Sequence, residues 1–516
     1  MALDLKNGFA RLDPGYLRGE CLDGEVRVFR GIPYAAPPVG GLRWKPPQPV
    51  PTWFGIRNAT AFAGECVQGG ANEMPADIDE HPAFSHPAFL AHATSRSEDC
   101  LYLNVWTPAK SAGERLPVFV WIHGGGYQGG GGSNFLYNSA PIAEKDIVAV
   151  TINYRCGLFG FLAHPWLTEE SGLGASGSYG LLDQIAALKW VKEHIAAFGG
   201  DPNKVTVGGQ SAGSGSVGAL VASPLAAGLF RGAVMQSGAP YGLLDVRKPR
   251  SEAERFGITF AHMCGAHSLG ELREIGAWEL QKKSVQSNFL FWPCVDGLVL
   301  SKPTGEIIDS GAHNRCAVLC GGNTHEWAAQ YNPEKGLDQA KYFELLKREY
   351  PEHWEELLKR YPAGTPRETA LSAIRMGGEG MIIAGRRMAS MARKYQNDAY
   401  AYRFSRTIPS PDTEFYGASH SCELPSLFRL EGFGSINPWD AREWTRTDRD
   451  YSALVISYWT NFVKNLDPNG EGLPHWPLYD DKDFMGMDFG DEPHPAPLPA
   501  AGHYGFSLET LGIKNA

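Results

Sequence analysis

The chain has 516 residues, 43% of them hydrophobic and 20% charged, with a formal net charge of −10 and a pI near 5.9. That balance, with no Lys/Arg-rich block, argues against nucleic acid or an anionic membrane surface as a partner. No apolar run approaches the ~18 residues of a membrane-crossing helix, and Met1–Asp13 lacks the basic start and apolar stretch of a secretory signal.

Residues 1–35 read as short strands, with turns at Asn7-Gly8 and Asp23-Gly24. A proline-rich crossing follows from Pro37 to Pro51, and then a Pro/His-rich stretch bracketed by Cys66 and Cys100. From there the pattern changes to short runs that are apolar at every residue: Val118–Ile122, Ile147–Ile152, Val205–Val207, Ala233–Met235, Ala317–Cys320 and Ala399–Phe404. Strands buried on both faces of a parallel sheet have that character. Helical stretches alternate with them. In Tyr179–Phe198 the residues Leu181, Leu182, Ile185, Leu188, Val191 and Ile195 form one stripe at helical spacing. Alternation of strand and helix predicts an α/β sheet covered on both faces. Residues 337–394 are charged and helical and interrupt the rhythm; they are expected to be a helical insertion over one end of the sheet, within one enlarged domain spanning 1–516. The nine cysteines form no close C-x-x-C pair with histidine nearby, so no zinc site is expected.

Gly209-Gln210-Ser211-Ala212-Gly213 is a GxSxG string. The string alone is weak, but it follows the run Val205–Val207 and opens a stretch of small residues able to start a helix. A serine on a tight strand-to-helix turn is pushed out of the sheet's end, which suits a nucleophile. His123-Gly124-Gly125-Gly126 closes the run Val118–Ile122. Ester hydrolysis builds negative charge on the former carbonyl oxygen, and backbone N–H groups aimed at it stabilise that charge. Gly125, Gly126 and Ala212 are the expected donors. Gly124, Gly126 and Gly129 also satisfy GxGxxG, yet the glycines continue as loop to Gly132 and no acid follows the next strand, so a dinucleotide site is disfavoured.

In this arrangement the order serine, acid, histidine is expected along the chain. Glu326 stands at a strand exit after Ala317–Cys320. His325-Glu326 is not a zincin motif, because the position three beyond Glu326 is Ala329. Among the later histidines, His353 sits on a charged helix and His494 and His503 lie in a Pro/Gly-rich tail; His420, in a flexible loop after Ala399–Phe404, is the best-placed base.

These residues bring the chain close to a family. Phe29–Ala35, Ser97–Trp106, His123–Tyr127, Asn153-Tyr154-Arg155, Gly180–Gln184, Gly209–Gly213 and Pro293–Gly297 together resemble the type-B carboxylesterases, the group that includes the para-nitrobenzyl esterases and cholinesterases. The resemblance implies an α/β-hydrolase fold: a large mixed, mostly parallel central sheet covered by helices, a small N-terminal antiparallel sheet and helical insertions. It implies a triad of Ser211, Glu326 and His420, a disulfide between Cys66 and Cys100, ion pairs Arg43–Glu98 and Arg155–Asp183, and an acyl-pocket role for Phe291, with Phe289 on the same side of the extended segment. A closed disulfide would lean the localisation to the periplasm or exterior. The expected partner is a small-molecule ester, with no nucleic acid, no membrane span, no metal and no cofactor. Two departures stand out: Gln210 where glutamate is common, and Trp327 where glycine is usual. Cleavage of a lactone, thioester, carbamate or amide, or a non-catalytic binding role, is the alternative reading.

Overall fold

The computed structural model describes residues 4–13, 15–22, 25–69, 95–407, 410, 412–431 and 443–499. The Asp23-Gly24 turn, His503 and most of the segment between Cys66 and Cys100 lie outside the described residues.

An 11-stranded sheet organises the chain. Its strands are β1 (Glu20–Leu22), β2 (Val26–Pro33), β3 (Tyr102–Thr107), β4 (Leu116–Ile122), β5 (Val148–Ile152), β6 (Gly200–Gln210), β7 (Gly232–Gln236), β8 (Ala317–Asn323), β9 (Ala399–Phe404), β10 (Met485–Phe489) and β11 (His494–Pro497). In space they run β11-β10-β9-β8-β7-β6-β4-β5-β3-β2-β1. From β10 through β5 every neighbouring pair is parallel, and the two edges are antiparallel. A separate three-stranded sheet joins Phe9–Leu12, Gly15–Arg18 and Ile56–Asn58. Its first pair is antiparallel and its third strand lies parallel to the second.

The continuous apolar runs are explained by what covers each face. Val118, Val120 and Ile122 of β4 enter the core on one side, while Phe119 and Trp121 enter the core on the other, as side chains alternating across a strand must. Neither face meets water, so β5, β7 and β8 are buried at every residue.

On the first side lie α1 (Tyr179–His194) and α2 (Ala212–Ala222), with α3 (Arg250–Cys264) further out. The predicted stripe of α1 is buried at Leu181, Ile185, Leu188 and Val191. The long α4 (Pro366–Lys394) packs on β8 and β9. Its start is fixed by a capping box between Thr365 and Glu368, with Pro366 in the first turn. On the second side α5 (Arg446–Asn465) buries Tyr458, Trp459 and Phe462. No helix among the described residues is long and apolar enough to cross a membrane.

Both ion pairs implied by the resemblance are formed. Arg43 donates from Nε and Nη2 to the two carboxylate oxygens of Glu98 at 2.6 and 2.7 Å. Arg155 makes the same fork on Asp183 at 2.8 and 2.7 Å. Cys66 and Cys100 are buried free thiols, as is Cys156, which adjoins Cys66. The backbone N–H of Cys156 donates to Cys66 Sγ at 3.3 Å.

Candidate active site

Ser211 sits between the end of β6 and the start of α2 with φ 56° and ψ −127°. A non-glycine residue there stores roughly 1–3 kcal/mol of backbone strain, and the surroundings hold it in place. Its N–H donates to the Gln236 carbonyl of β7 at 2.9 Å, and its carbonyl accepts from Gly215 N–H at 3.0 Å. The turn needs a close approach of α2 to β4: a Cβ on Gly213 would sit 2.1 Å from the Ile122 carbonyl oxygen. This is why a glycine stands two residues past the serine.

The glycine run leaving β4 lies against this turn, since a Cβ on Gly124 would be 3.2 Å from Ser211 Cβ. Gly125 has φ 112° and Gly126 φ 62°, and a side chain on Gly125 would run into the Gly129 carbonyl. The N–H groups of Gly125 and Gly126 donate to nothing among the described residues, and that of Ala212 begins α2, where no intrahelical acceptor exists. These unspent donors suit a developing oxyanion. The run is braced from both ends. Gln68 accepts from Gly130 N–H at 2.7 Å and donates to its carbonyl at 3.0 Å. His123 stacks on Tyr154 with 4.3 Å between ring centroids, and its Nδ1–H donates to the Gly124 carbonyl at 2.8 Å. Burial drives the His123 pKa down to about 4, so this ring serves as a neutral brace.

Glu326 is 1% exposed. One carboxylate oxygen accepts the N–H of Asn323 at 2.7 Å, and the other accepts Nδ1–H of His420. Burial pulls the His420 pKa down, but the charge and hydrogen bond of Glu326, with a smaller contribution from Glu423, outweigh it; the net shift is upward. The loop carrying His420 is tied to the β8 exit by His325 N–H donating to the Ala418 carbonyl at 2.9 Å. Gly417 passes so close under the His325 ring that a Cβ would meet it at 2.4 Å.

Asn323, which sequence reasoning passed over, joins the acid and the base. Besides holding Glu326 through its backbone, its side-chain NH2 donates to the Ser419 carbonyl at 2.9 Å and to Glu423 at 2.7 Å. The available signal was a polar residue closing an apolar strand three positions before Glu326. Glu423 is itself buried, which pushes its pKa up, and it also accepts from Gln236 Nε2 at 3.0 Å.

Three placements were not foreseen. The Ser211 hydroxyl makes no hydrogen bond among the described residues; Nε2 of His420 instead faces the side-chain amide nitrogen of Gln210 at 3.2 Å. Trp327 lies nearly parallel to the His420 ring at 15°, with centroids 6.4 Å apart, and it fits against Gly377 of α4, where a Cβ would fall 1.4 Å from the indole. Finally, Phe289 and Phe291 turn their rings onto Phe256 and Phe260 of α3 at 5.3 and 5.4 Å. Trp292 takes the opposite side, as alternation along an extended segment predicts, and meets Tyr127 at 5.7 Å. The Phe291 backbone still adjoins the glycine run, its carbonyl accepting from Gln128 Nε2 at 2.9 Å.

The chain is similar to known proteins over nearly its whole length. The model of the carboxylesterase family matches residues 8–503. The fumonisin B1 esterase of Sphingopyxis macrogoltabida is 34% identical, over 92% of this chain and 85% of that protein. The human cocaine esterase is 32% identical, over 89% and 82%. Among solved structures, a carboxylesterase of Geobacillus stearothermophilus superposes with a TM-score of 0.82 at 31% identity, covering 98% of this chain and all of that one. A para-nitrobenzyl (PNB) esterase does so at 0.82 and 30%, covering 98% and 99%.

Proposed function

The chain belongs to the carboxylesterase family and is a serine hydrolase of carboxylic esters; from that premise we propose that Ser211, His420 and Glu326 carry the chemistry and that Gly125, Gly126 and Ala212 form the oxyanion hole. The contact that carries this reading is His420 Nδ1–H on the buried Glu326 carboxylate, because it leaves Nε2 as the ring's basic nitrogen. Ser211 Oγ attacks the acyl carbon while Nε2 takes its proton. The carbonyl oxygen, now anionic, is met by the three backbone N–H groups. Collapse expels the alcohol, which receives the proton from Nε2. Water then repeats the sequence on the acyl-enzyme, releasing the acid and restoring Ser211. Treatment with a fluorophosphonate is expected to place one adduct on the peptide containing Ser211 and to abolish esterase activity in proportion. Full labelling with activity intact would overturn the assignment.

Because His420 must be neutral to accept a proton, the direction of its shift sets the acid limb. Its pKa is raised, so kcat/KM for a neutral ester is expected to fall on acidification with a midpoint above the ~6.5 of an ordinary histidine. A midpoint at or below that value would separate Glu326 from the base.

Phe289 and Phe291 are proposed to back the acyl side of the site, which favours compact acyl groups. Phe291 is 4% exposed and packed on Phe260, so Phe291→Ala opens a cavity costing about 3–5 kcal/mol of stability. It is expected to widen acyl-chain tolerance while leaving alcohol preference unchanged. An unaltered acyl profile would confine Phe291 to packing.

The thiols of Cys66 and Cys100 are proposed to close a disulfide. The loop of about 35 residues would contribute ~3–4 kcal/mol in the chain-entropy model. Peptide mapping of unreduced protein is expected to return the Cys66–Cys100 linkage. Recovery of Cys66 joined to Cys156, or of three alkylatable thiols, would refute it.

A further inference from the structure

The proton on His420 sits at Nδ1, where Glu326 accepts it, so Nε2 offers a lone pair. What meets that lone pair is the NH2 group of Gln210 at 3.2 Å. Gln210 ends β6, is 2% exposed, and immediately precedes the nucleophile, so it shares the fixed turn that aims Ser211. The other neighbours of the ring divide sharply by charge. The β8 exit contributes the carboxylate of Glu326 and the neutral face of Trp327. His325, on the same exit, packs against the His420 loop at Gly417; burial, with Arg375 adding to it, lowers its pKa. The loop's own Glu423 adds a second acidic side chain. Both acidic groups favour the imidazolium, and an imidazolium cannot serve as base. The side facing β6 is neutral and supplies a hydrogen-bond donor.

We infer that Gln210 is a positioning residue for ester hydrolysis: its amide N–H caps Nε2 of neutral His420 in the resting enzyme and gives up that lone pair to the Ser211 hydroxyl when substrate docks. The inference rests on the assignment of Ser211 and His420 as nucleophile and base. A donor at Nε2 stabilises the neutral ring and opposes its protonation, offsetting part of the pull of the two acidic groups. It also accounts for the Ser211 hydroxyl standing without a hydrogen bond to the ring, since one lone pair cannot serve both donors. The amide must rotate aside before proton transfer, a side-chain movement that requires no backbone change.

The test uses the full chain, with p-nitrophenyl acetate as substrate, and follows both kcat/KM and the rate of fluorophosphonate labelling from pH 5 to 10. Gln210→Met keeps the volume and removes the donor; the apparent pKa of the acid limb is expected to rise by roughly half to one unit, the worth of one neutral hydrogen bond. Gln210→Glu places an acceptor against Nε2 and is expected to raise it by more than about one unit, with the alkaline plateau kept within about tenfold in both variants. A lowered pKa in Gln210→Met would mean that the amide accepts from the charged ring, and an unmoved pKa with a depressed plateau would reduce Gln210 to packing; either result overturns the inference. If wild-type protein fails to label at Ser211, the failure belongs to the triad assignment and not to Gln210.

Discussion

Ser211→Ala is expected to lower kcat/KM toward a p-nitrophenyl ester by about 10⁶-fold, His420→Ala by a similar factor and Glu326→Ala by about 10⁴-fold. The first two changes remove the bond-forming atom or its only base, and each leaves the other with nothing to act on. The double variant is therefore expected to be no worse than either single one, with residual catalysis from the oxyanion donors. Glu326→Ala costs less because Asn323 still ties the His420 loop through the Ser419 carbonyl, although the ring loses its orienting acceptor. Structural collapse is not expected to confound the serine variant: alanine also carries a Cβ, so the strain at φ 56° is unchanged. Circular dichroism and burst kinetics on the same samples decide the matter. Ser211→Ala retaining a tenth of wild-type activity would sink the mechanism.

The second large effect lies away from the chemistry. Arg155 and Asp183 have side chains 3% and 0% exposed, and the carboxylate additionally accepts the Arg155 N–H at 3.1 Å. The guanidinium also lies over the Tyr179 ring, 5.4 Å from its centroid. Removing one partner strands the other charge in a dry interior, at a cost of about 3–5 kcal/mol. Asp183→Leu and Arg155→Met are each expected to lose that much in urea unfolding. The double variant is expected to recover most of it, because the penalty belongs to the orphaned charge. Were the double variant no more stable than either single one, the pair would be contributing more than mutual neutralisation.

A linear sequence carries where a chain is buried and where it turns more plainly than where its side chains reach. Each of the six apolar runs lies within or nearly coincides with a sheet strand, because burial on both faces leaves no polar position to blur the pattern; Val205–Val207 grew to Gly200–Gln210 because its flanking Gly and Asn residues carry no strand signal. Helix α5 carries a readable cap in Thr445 and Asp448 and a stripe through Tyr451, Val455 and Phe462, a weaker local signal than the continuous apolar runs of the strands. Strand β10, Met-Gly-Met-Asp-Phe, is too short and too broken by glycine to stand out. At the site, chain order and strand exits located Ser211, Glu326 and His420, since these depend on where the backbone turns. The partners of Nε2 and the reach of Asn323 depend on side-chain direction across elements separated by tens to hundreds of residues, and no local pattern encodes that.

The fit of Trp327 against α4 constrains how this sequence can change over time. With a Cβ at position 377 falling 1.4 Å from the indole, an alanine there and the tryptophan in its present position exclude each other. A glycine inside a long helix costs about 1 kcal/mol relative to alanine, so position 377 would drift toward alanine if the loop were small. The path between a small residue and tryptophan at 327 therefore runs in one order: glycine enters the helix first, at a tolerable loss, and the indole follows. In the reverse order the intermediate clashes beside the base. While the indole keeps this position beside His420, the two residues are coupled, and replacing Gly377 requires the ring to move away from the base.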